Sequence, residues 1–169
     1  MKTGFVTATL FLVSMAMAQP KHAPLKIDIK NLQGKTVGTA AFSEAQTGGV
    51  ELDLKITGMS PGNHLFHIHQ KPVCDAAEEF NNAGLRFDPT GEFYGNAEHK
   101  HRTGPSAGDP KAGIEVGRDG TGHGTYSFPK LTMGDDERSI VGSGGHAIIF
   151  HGVFGSQDPD RIACGIIAR

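Results

Sequence analysis

The sequence lacks the features that mark several large classes of protein. It has no tryptophan, only two cysteines and no cluster of basic residues. Beyond its N-terminus, no apolar run approaches the roughly 20 residues that a membrane-spanning helix needs. The formal net charge is -2 at pH 7. We therefore expect no nucleic-acid partner, no attraction to an anionic membrane surface and no membrane span.

The N-terminus has the organisation of a secretory signal peptide. Lys2 precedes an apolar run over residues 5–13, and small residues follow up to Ala18. This pattern predicts a signal peptide over residues 1–18 and one mature domain over residues 19–169. The protein would then be exported, to the periplasm or the extracellular space. A buried N-terminal helix is the alternative interpretation.

The two cysteines, Cys74 and Cys164, would meet an oxidising environment after export. We expect them to form a disulfide that closes a loop of about 90 residues, which the loop-entropy estimate values at roughly 4 to 5 kcal/mol. Two buried free thiols are the alternative.

The mature chain shows period-two alternation and no sustained helical period. The segment Val50-Glu51-Leu52-Asp53-Leu54 is typical of an antiparallel strand with one dry face and one wet face. The whole pattern predicts eight short strands joined by long loops, and the longest loop covers residues 70–111. This pattern predicts an all-β sandwich or Greek-key barrel. The predicted strands cover residues 25–30, 35–42, 50–56, 62–69, 114–116, 122–128, 147–151 and 162–168.

Histidine is concentrated in the chain: eight of the nine lie beyond residue 60. His67 and His69 are two apart on one predicted strand, so their side chains share a face. His151 ends another apolar strand. Imidazole suits copper and zinc, and a shared metal would remove the cost of burying three unpartnered imidazoles.

These motifs together resemble the copper/zinc superoxide dismutase family over nearly the whole mature length. The segment from Gly62 to His69 is similar to that family's copper-binding strand, and residues 148–151 are similar to its last copper-ligand strand. Residues 83–89 and 104–109 are similar to its metal loops, and residues 161–167 to its disulfide-bearing terminal strand.

The resemblance implies an eight-stranded Greek-key β-barrel with long loops and a copper site. His67, His69 and His151 would be copper ligands, and His64 would be structural. Arg161 would stand at the copper mouth, where a permanently charged guanidinium attracts and orients an anion. The family's disulfide would join Cys74 to Cys164.

The chain departs from the family at the zinc half of the site. Arg86 stands where the family has a histidine that bridges copper and zinc, and Ser106 or a gap replaces another zinc histidine. Asp109 aligns with the zinc aspartate, and His99 or His101 with the remaining histidine. A structural zinc site needs four ligands, so we expect zinc to be absent or weak. His99, His101 and Asp109 could instead form a second metal site or supply a fourth copper ligand, while solvated loop histidines are the alternative.

Two functions follow from the resemblance and these departures. The first is a copper-dependent superoxide dismutase, converting superoxide into oxygen and hydrogen peroxide with copper alone. The second is a dismutase-like copper-binding protein for copper storage or delivery, whose partner would be a copper donor or acceptor protein.

The loop between His151 and Cys164 is short and keeps Asp158, Asp160 and Arg161 as its charges, so substrate steering would be reduced. A monomer and a homodimer both remain open.

The remaining histidines carry less weight. His123 and His146 adjoin glycines and are expected to be turn or strand-edge residues, and His22 lies near the N-terminus of the mature chain.

Overall fold

The structure, a computed structural model, describes residues 22–94 and 104–169. The described residues form nine strands and two short 3-10 turns, with no α-helix. This confirms the all-β prediction. The strands are β1 (Leu25–Asn31), β2 (Thr36–Glu44), β3 (Val50–Ile56), β4 (Gly62–His64), β5 (Phe66–His69), β6 (Ile114–Val116), β7 (Gly122–Phe128), β8 (His146–His151) and β9 (Arg161–Ile167). The predicted signal peptide lies outside the described residues. No helix among the described residues is long and apolar enough to cross a membrane.

Seven strands form one antiparallel sheet in the order β5-β8-β9-β1-β2-β3-β7, and β4 pairs with β6 in a separate two-stranded ladder. The sheet curls until its two edges approach each other. The ring of Phe66 on β5 lies 4.8 Å from that of Tyr126 on β7, in an edge-to-face arrangement. Curling encloses one apolar core, which the inward residues of the alternating strands fill, as β3 does with Val50, Leu52, Leu54 and Ile56.

The predicted histidine strand over residues 62–69 is divided in two at Leu65. The segment before Leu65, β4, pairs with β6, whereas the segment after it, β5, pairs with β8. Leu65 is exposed, and its carbonyl accepts a hydrogen bond from the His151 backbone N–H at 2.8 Å. The chain therefore changes partner at this residue, which a regular alternation of side chains cannot reveal.

The strand that carries His151 is buried on both faces. Ile148 and Phe150 point into the barrel, while Ala147 and Ile149 pack outside it with Phe80, Ala83 and Cys164. This outer layer belongs to the long loop that follows β5, where the 3-10 turns Ala76–Glu78 and Asn81–Ala83 lie. Burial on both faces explains why this strand is an unbroken apolar run rather than an alternating one.

A disulfide between Cys74 and Cys164 joins the long loop to β9, as predicted. The long loop is thus fixed against the outer face of β8 and β9 at the edge of the sheet where the histidines lie.

Candidate metal centre

The three predicted copper ligands lie together at one edge of the barrel. His67 and His69 project from the same face of β5, and His151 stands at the end of the neighbouring strand β8. One ring nitrogen from each imidazole lies within 4.8 Å of the others, and this is the one group among the described residues that could hold a metal ion. His67 Nδ1 and His151 Nε2 are 3.1 Å apart.

His69 is held in one tautomer. Its Nδ1 lies 2.9 Å from the carbonyl oxygen of Gly84. A carbonyl can only accept, so Nδ1 carries the hydrogen and Nε2 carries the lone pair. The Nε2 atom is buried and has no hydrogen-bond partner among the described residues. A buried nitrogen lone pair beside two other imidazoles fits a metal ion of the copper or zinc type.

His151 has an acceptor behind it as well. Its Nδ1 lies 3.3 Å from Asp160 Oδ1, and a carboxylate accepts the hydrogen of this nitrogen. Its Nε2 is then free to present a lone pair towards His67 and His69. Ligating histidines commonly donate their second ring N–H to a carboxylate or carbonyl, which fixes the ring. Asp160 and the Gly84 carbonyl both occupy this position.

Burial keeps the cluster neutral. It lowers the pKa of His67 to about 3, with the Arg86 charge as the next cause, and it lowers the pKa of His69 to about 4 against the opposing hydrogen bond to Gly84. The pKa of His151 is also lowered, mainly by burial. All three imidazoles are therefore unprotonated near pH 7, the state in which a histidine can bind a metal.

Gly84 has a backbone conformation that explains its place in the site. Its φ is +80°, a backbone conformation that residues other than glycine rarely adopt. In this conformation its carbonyl accepts from His69 Nδ1 and, at 3.4 Å, from Arg161 Nη2. One carbonyl therefore positions both a candidate ligand and the neighbouring guanidinium.

Arg161 lies across from His151, where the pairing of β8 and β9 is irregular. Its Nη1 donates to the carbonyl of Phe80 at 2.9 Å, so the loop tied by the disulfide holds the guanidinium in place. Together with the three histidines it lines an open cavity of about 840 Å³. A fixed guanidinium beside a candidate metal-binding cluster is suited to attract a small anion.

Comparison with known proteins agrees with this geometry. Residues 36–167 match the family described as copper/zinc superoxide dismutase (SODC). The chain belongs to this family. It is 31% identical over 195 aligned positions to a superoxide dismutase [Cu-Zn] of Neisseria meningitidis, covering 99% of this chain and 98% of the relative. A superoxide dismutase [Cu-Zn] of Deinococcus radiodurans is 28% identical over 143 positions, covering 80% of this chain and 75% of the relative.

Solved structures of this family share the fold. A SOD-like protein from Bacillus subtilis matches with a TM-score of 0.71 at 26% identity, over 86% of this chain and 99% of that one. The Cu/Zn superoxide dismutase from Brucella abortus matches with a TM-score of 0.58 at 24% identity, over 86% of this chain and 99% of that one. The predicted barrel of the superoxide dismutase type is thereby confirmed.

The segments that resemble the family's metal loops carry an ion pair where the zinc half of the site would lie. Arg86 Nη1 donates to Asp109 Oδ2 at 2.8 Å, and the Asp109 side chain is only 9% exposed. The backbone N–H of Ser106 donates to the same oxygen at 3.2 Å. Asp109 Oδ1 lies 4.0 Å from His67 Nε2. A guanidinium cannot ligate a metal, so these described residues do not fit a zinc ion. The other candidates there, His99 and His101, lie outside the described residues.

The remaining histidines are in other environments. His64 is buried, and its ring nitrogens lie 2.8 Å from the His151 carbonyl and 2.7 Å from the Ser60 carbonyl. His146 begins β8, and its ring centre lies 3.9 Å from that of Phe87, with the two rings tilted by 46°. His123 lies within β7 and pairs with Asp53 at 2.7 Å, on the outside of the barrel. His22 pairs with Glu44 at 3.0 Å.

Sequence reasoning missed the groups that hold the ligands. The Phe80 and Gly84 carbonyls belong to the backbone, so side-chain identity carries no signal for them. Gly84 alone had a signal, because it stands in the segment 83–89 that resembles a metal loop. Asp160 was counted only as a loop charge.

Proposed function

We propose that this protein is a copper-dependent superoxide dismutase that works with copper alone. The observation that carries this proposal is the cluster of three neutral imidazoles beside the fixed guanidinium of Arg161. The family membership and the names of the curated relatives support superoxide as the substrate. The reaction converts two superoxide ions and two protons into one oxygen and one hydrogen peroxide.

His67, His69 and His151 would bind the metal through Nδ1, Nε2 and Nε2. The redox chemistry, an electron gained from one superoxide and returned to the next, is what copper would supply when bound. Neutral imidazoles suit both copper oxidation states, although Cu(II) prefers four or more ligands. The Gly84 carbonyl and Asp160 would keep two of the three rings oriented.

Arg161 would bind and orient the anion, and its side chain would lose little freedom because the Phe80 and Gly84 carbonyls already hold it. Arg86 stands where the family resemblance would place a bridging histidine, and a guanidinium has donors but no acceptor nitrogen that could take part in proton delivery as an imidazole does. Water in the open cavity would therefore deliver both protons.

The second candidate function is copper storage or delivery with little turnover. The cavity mouth favours it in two ways. Asp158 and Asp160 line the cavity and would repel an incoming anion. Phe154, fully exposed, and Leu85, more than half exposed, add apolar surface of the kind that a protein partner covers. If the protein stores or delivers copper, its partner would be a copper donor or acceptor protein.

One experiment separates superoxide dismutation from copper storage or delivery. The protein corresponding to residues 19–169 is loaded with one equivalent of copper, its metal content is confirmed, and superoxide decay is followed directly. We expect copper-dependent acceleration, reduced roughly tenfold or more in the R161M variant because local steering of the anion is lost. The R118M variant, changed at an exposed arginine outside the cavity, is the matched control. Decay no faster than with the copper-free protein would leave only the storage or delivery function.

We also propose that zinc is absent or weakly bound and that residues 19–169 act as one exported domain. The disulfide supports an oxidising compartment. Metal analysis of protein exposed to equimolar copper and zinc tests the first point. Sequencing the N-terminus of the exported protein tests the second, and a chain that still begins at Met1 would contradict it.

A further inference from the structure

The ion pair of Arg86 and Asp109 is built into the same framework as the candidate ligands. Arg86 forms an isolated antiparallel bridge with His69, and the flanking Gln70 N–H donates to the Leu85 carbonyl at 2.9 Å. The guanidinium carbon lies 4.7 Å from the centre of the Phe93 ring. The Arg86 side chain is 28% exposed. Backbone pairing, ring stacking and the ion pair thus restrict the guanidinium to one place.

Metal binding imposes a definite hydrogen arrangement on His67. Without a metal, His67 Nδ1 and His151 Nε2, 3.1 Å apart, share one hydrogen. A metal bound to both atoms needs a lone pair on each, so the hydrogen of His67 has to reside on Nε2. Among the described residues the carboxylate nearest to that atom is Asp109, whose Oδ1 is 4.0 Å away. A movement of about 1 Å would bring the pair into hydrogen-bond range.

The other two imidazoles already have acceptors behind them, the Gly84 carbonyl for His69 and Asp160 for His151. Asp109 is the corresponding group for His67, and its other oxygen is held by Arg86. We propose that Arg86 is a positioning residue for copper binding: its guanidinium holds Asp109 behind His67, so that a cation belonging to the chain takes the place of a second metal ion.

This inference rests on the proposed copper site but not on superoxide turnover. It also gives Arg86 a role in metal selectivity. The guanidinium and a zinc ion would compete for the Asp109 carboxylate. The guanidinium has the advantage because it is part of the chain, and its Nη1 lies 2.8 Å from Asp109 Oδ2. Neutralising Asp109 in this way also removes the cost of leaving a buried carboxylate uncompensated.

The test is a double-mutant cycle on copper affinity, with R86M, D109N and the double variant measured by competition with a chelator of known affinity. Loss of a partner behind a ligating histidine typically weakens metal binding 10- to 100-fold. We expect that loss in each single variant, and no further loss in the double variant, because Arg86 acts through Asp109. The Cu(II) electron paramagnetic resonance spectrum should change in the same three proteins, since the His67 ring is no longer fixed.

Two further variants separate positioning from general stability. R86K keeps the charge and should recover part of the affinity. R138M removes the more exposed Arg138–Asp136 pair, outside the metal cavity, and should leave copper affinity and spectrum unchanged. Melting temperatures of the metal-free proteins report any loss of folding.

Copper affinity of R86M within twofold of the unmodified protein, or additive losses in the double variant, would overturn the proposal. A protein that binds copper at one equivalent without accelerating superoxide decay would contradict the enzymatic function alone. A protein that does not bind copper would contradict both.

Discussion

The three-histidine cluster and the Arg86–Asp109 pair are neighbours, but they are built in opposite ways. The cluster is made of neutral side chains on strands, with backbone carbonyls behind one ligand and the guanidinium of Arg161. The pair is made of two opposite charges on connecting segments, with Arg86 Nη1 and Asp109 Oδ2 2.8 Å apart. The histidine cluster therefore presents lone pairs to a positive ion. The Arg86–Asp109 pair already contains a positive charge, the guanidinium of Arg86.

This difference separates the part of the site that the barrel fixes from the part that can change without altering the fold. The candidate ligands on β5 and β8 are fixed by the sheet register that also forms the core. Arg86 and Asp109 lie in connections between strands, where a substitution changes local charge and leaves the barrel intact. Variants in both halves of the site test this contrast.

Removing His151 should abolish stoichiometric copper binding. The H151A variant leaves two imidazoles on β5 and loses the one ligand that comes from β8, so we expect copper affinity to fall by about 100-fold or more, equivalent to roughly 2.7 kcal/mol. The measurement is copper content after dialysis against a weak chelator. H123A, altered at an exposed histidine on β7, is the matched control. Retention of one equivalent by H151A would show that the ligand assignment is wrong.

Removing the disulfide should destabilise the half of the site that the long loop supports. The C74A/C164A variant opens a connection that spans 90 residues, and the expected loss in free energy of unfolding is about 4 kcal/mol, within a range of 2 to 5. Urea denaturation of both proteins in metal-free form measures it. A loss below about 1 kcal/mol would mean that the packing of Phe80 and Ala83 alone holds the loop.

Acid should destabilise the metal-free cluster. Burial lowers the pKa of His67 to about 3 and that of His69 to about 4, from 6.5 in the unfolded chain. Below pH 6.5 the unfolded state takes up protons that the folded state does not, so stability falls as pH falls towards these lower values. Between pH 7.5 and 5 we expect a loss of roughly 2 to 4 kcal/mol.

Urea midpoints across this range measure the acid effect, with the H67Q/H69Q variant as the control that should lose this pH dependence. If both proteins show the same slope between pH 7.5 and 5, the imidazoles are not held neutral by burial.

Converting Arg86 to histidine should give the Arg86–Asp109 half of the site a metal-binding imidazole like those of the histidine cluster. The R86H variant removes the guanidinium from Asp109 and adds an imidazole beside it, so zinc affinity should rise about tenfold, equivalent to 1.4 kcal/mol. The R86Q variant removes the guanidinium without adding an imidazole and should gain less. Titration calorimetry with zinc distinguishes them. Equal zinc affinity in R86H and the unmodified protein would show that Arg86 does not limit zinc binding.

Most of the fold could be predicted from local patterns. The alternation of β3 gave its two faces correctly because one side chain in two meets the core. The division of the histidine strand at Leu65 could not be predicted, because it depends on which strand lies beside each half. Likewise, a turn joins the predicted strands 114–116 and 122–128, where the Gly117 N–H donates to the Thr121 carbonyl at 2.8 Å. These two strands nevertheless have different partners, since β6 pairs with β4 and β7 with β3.

The candidate site divides in the same manner. His67 and His69 share a face because strand geometry has a period of two, and the disulfide was expected from the presence of two cysteines in an exported chain. The sequence alone thus determined the fold class and the histidines of the candidate site, and it predicted that zinc is absent or weakly bound. Tertiary structure decided which groups stand behind the ligands and that Arg86 closes onto Asp109. Those contacts join backbone carbonyls and residues up to 81 positions apart, as between Phe80 and Arg161, and only the curled sheet and the disulfide bring them together.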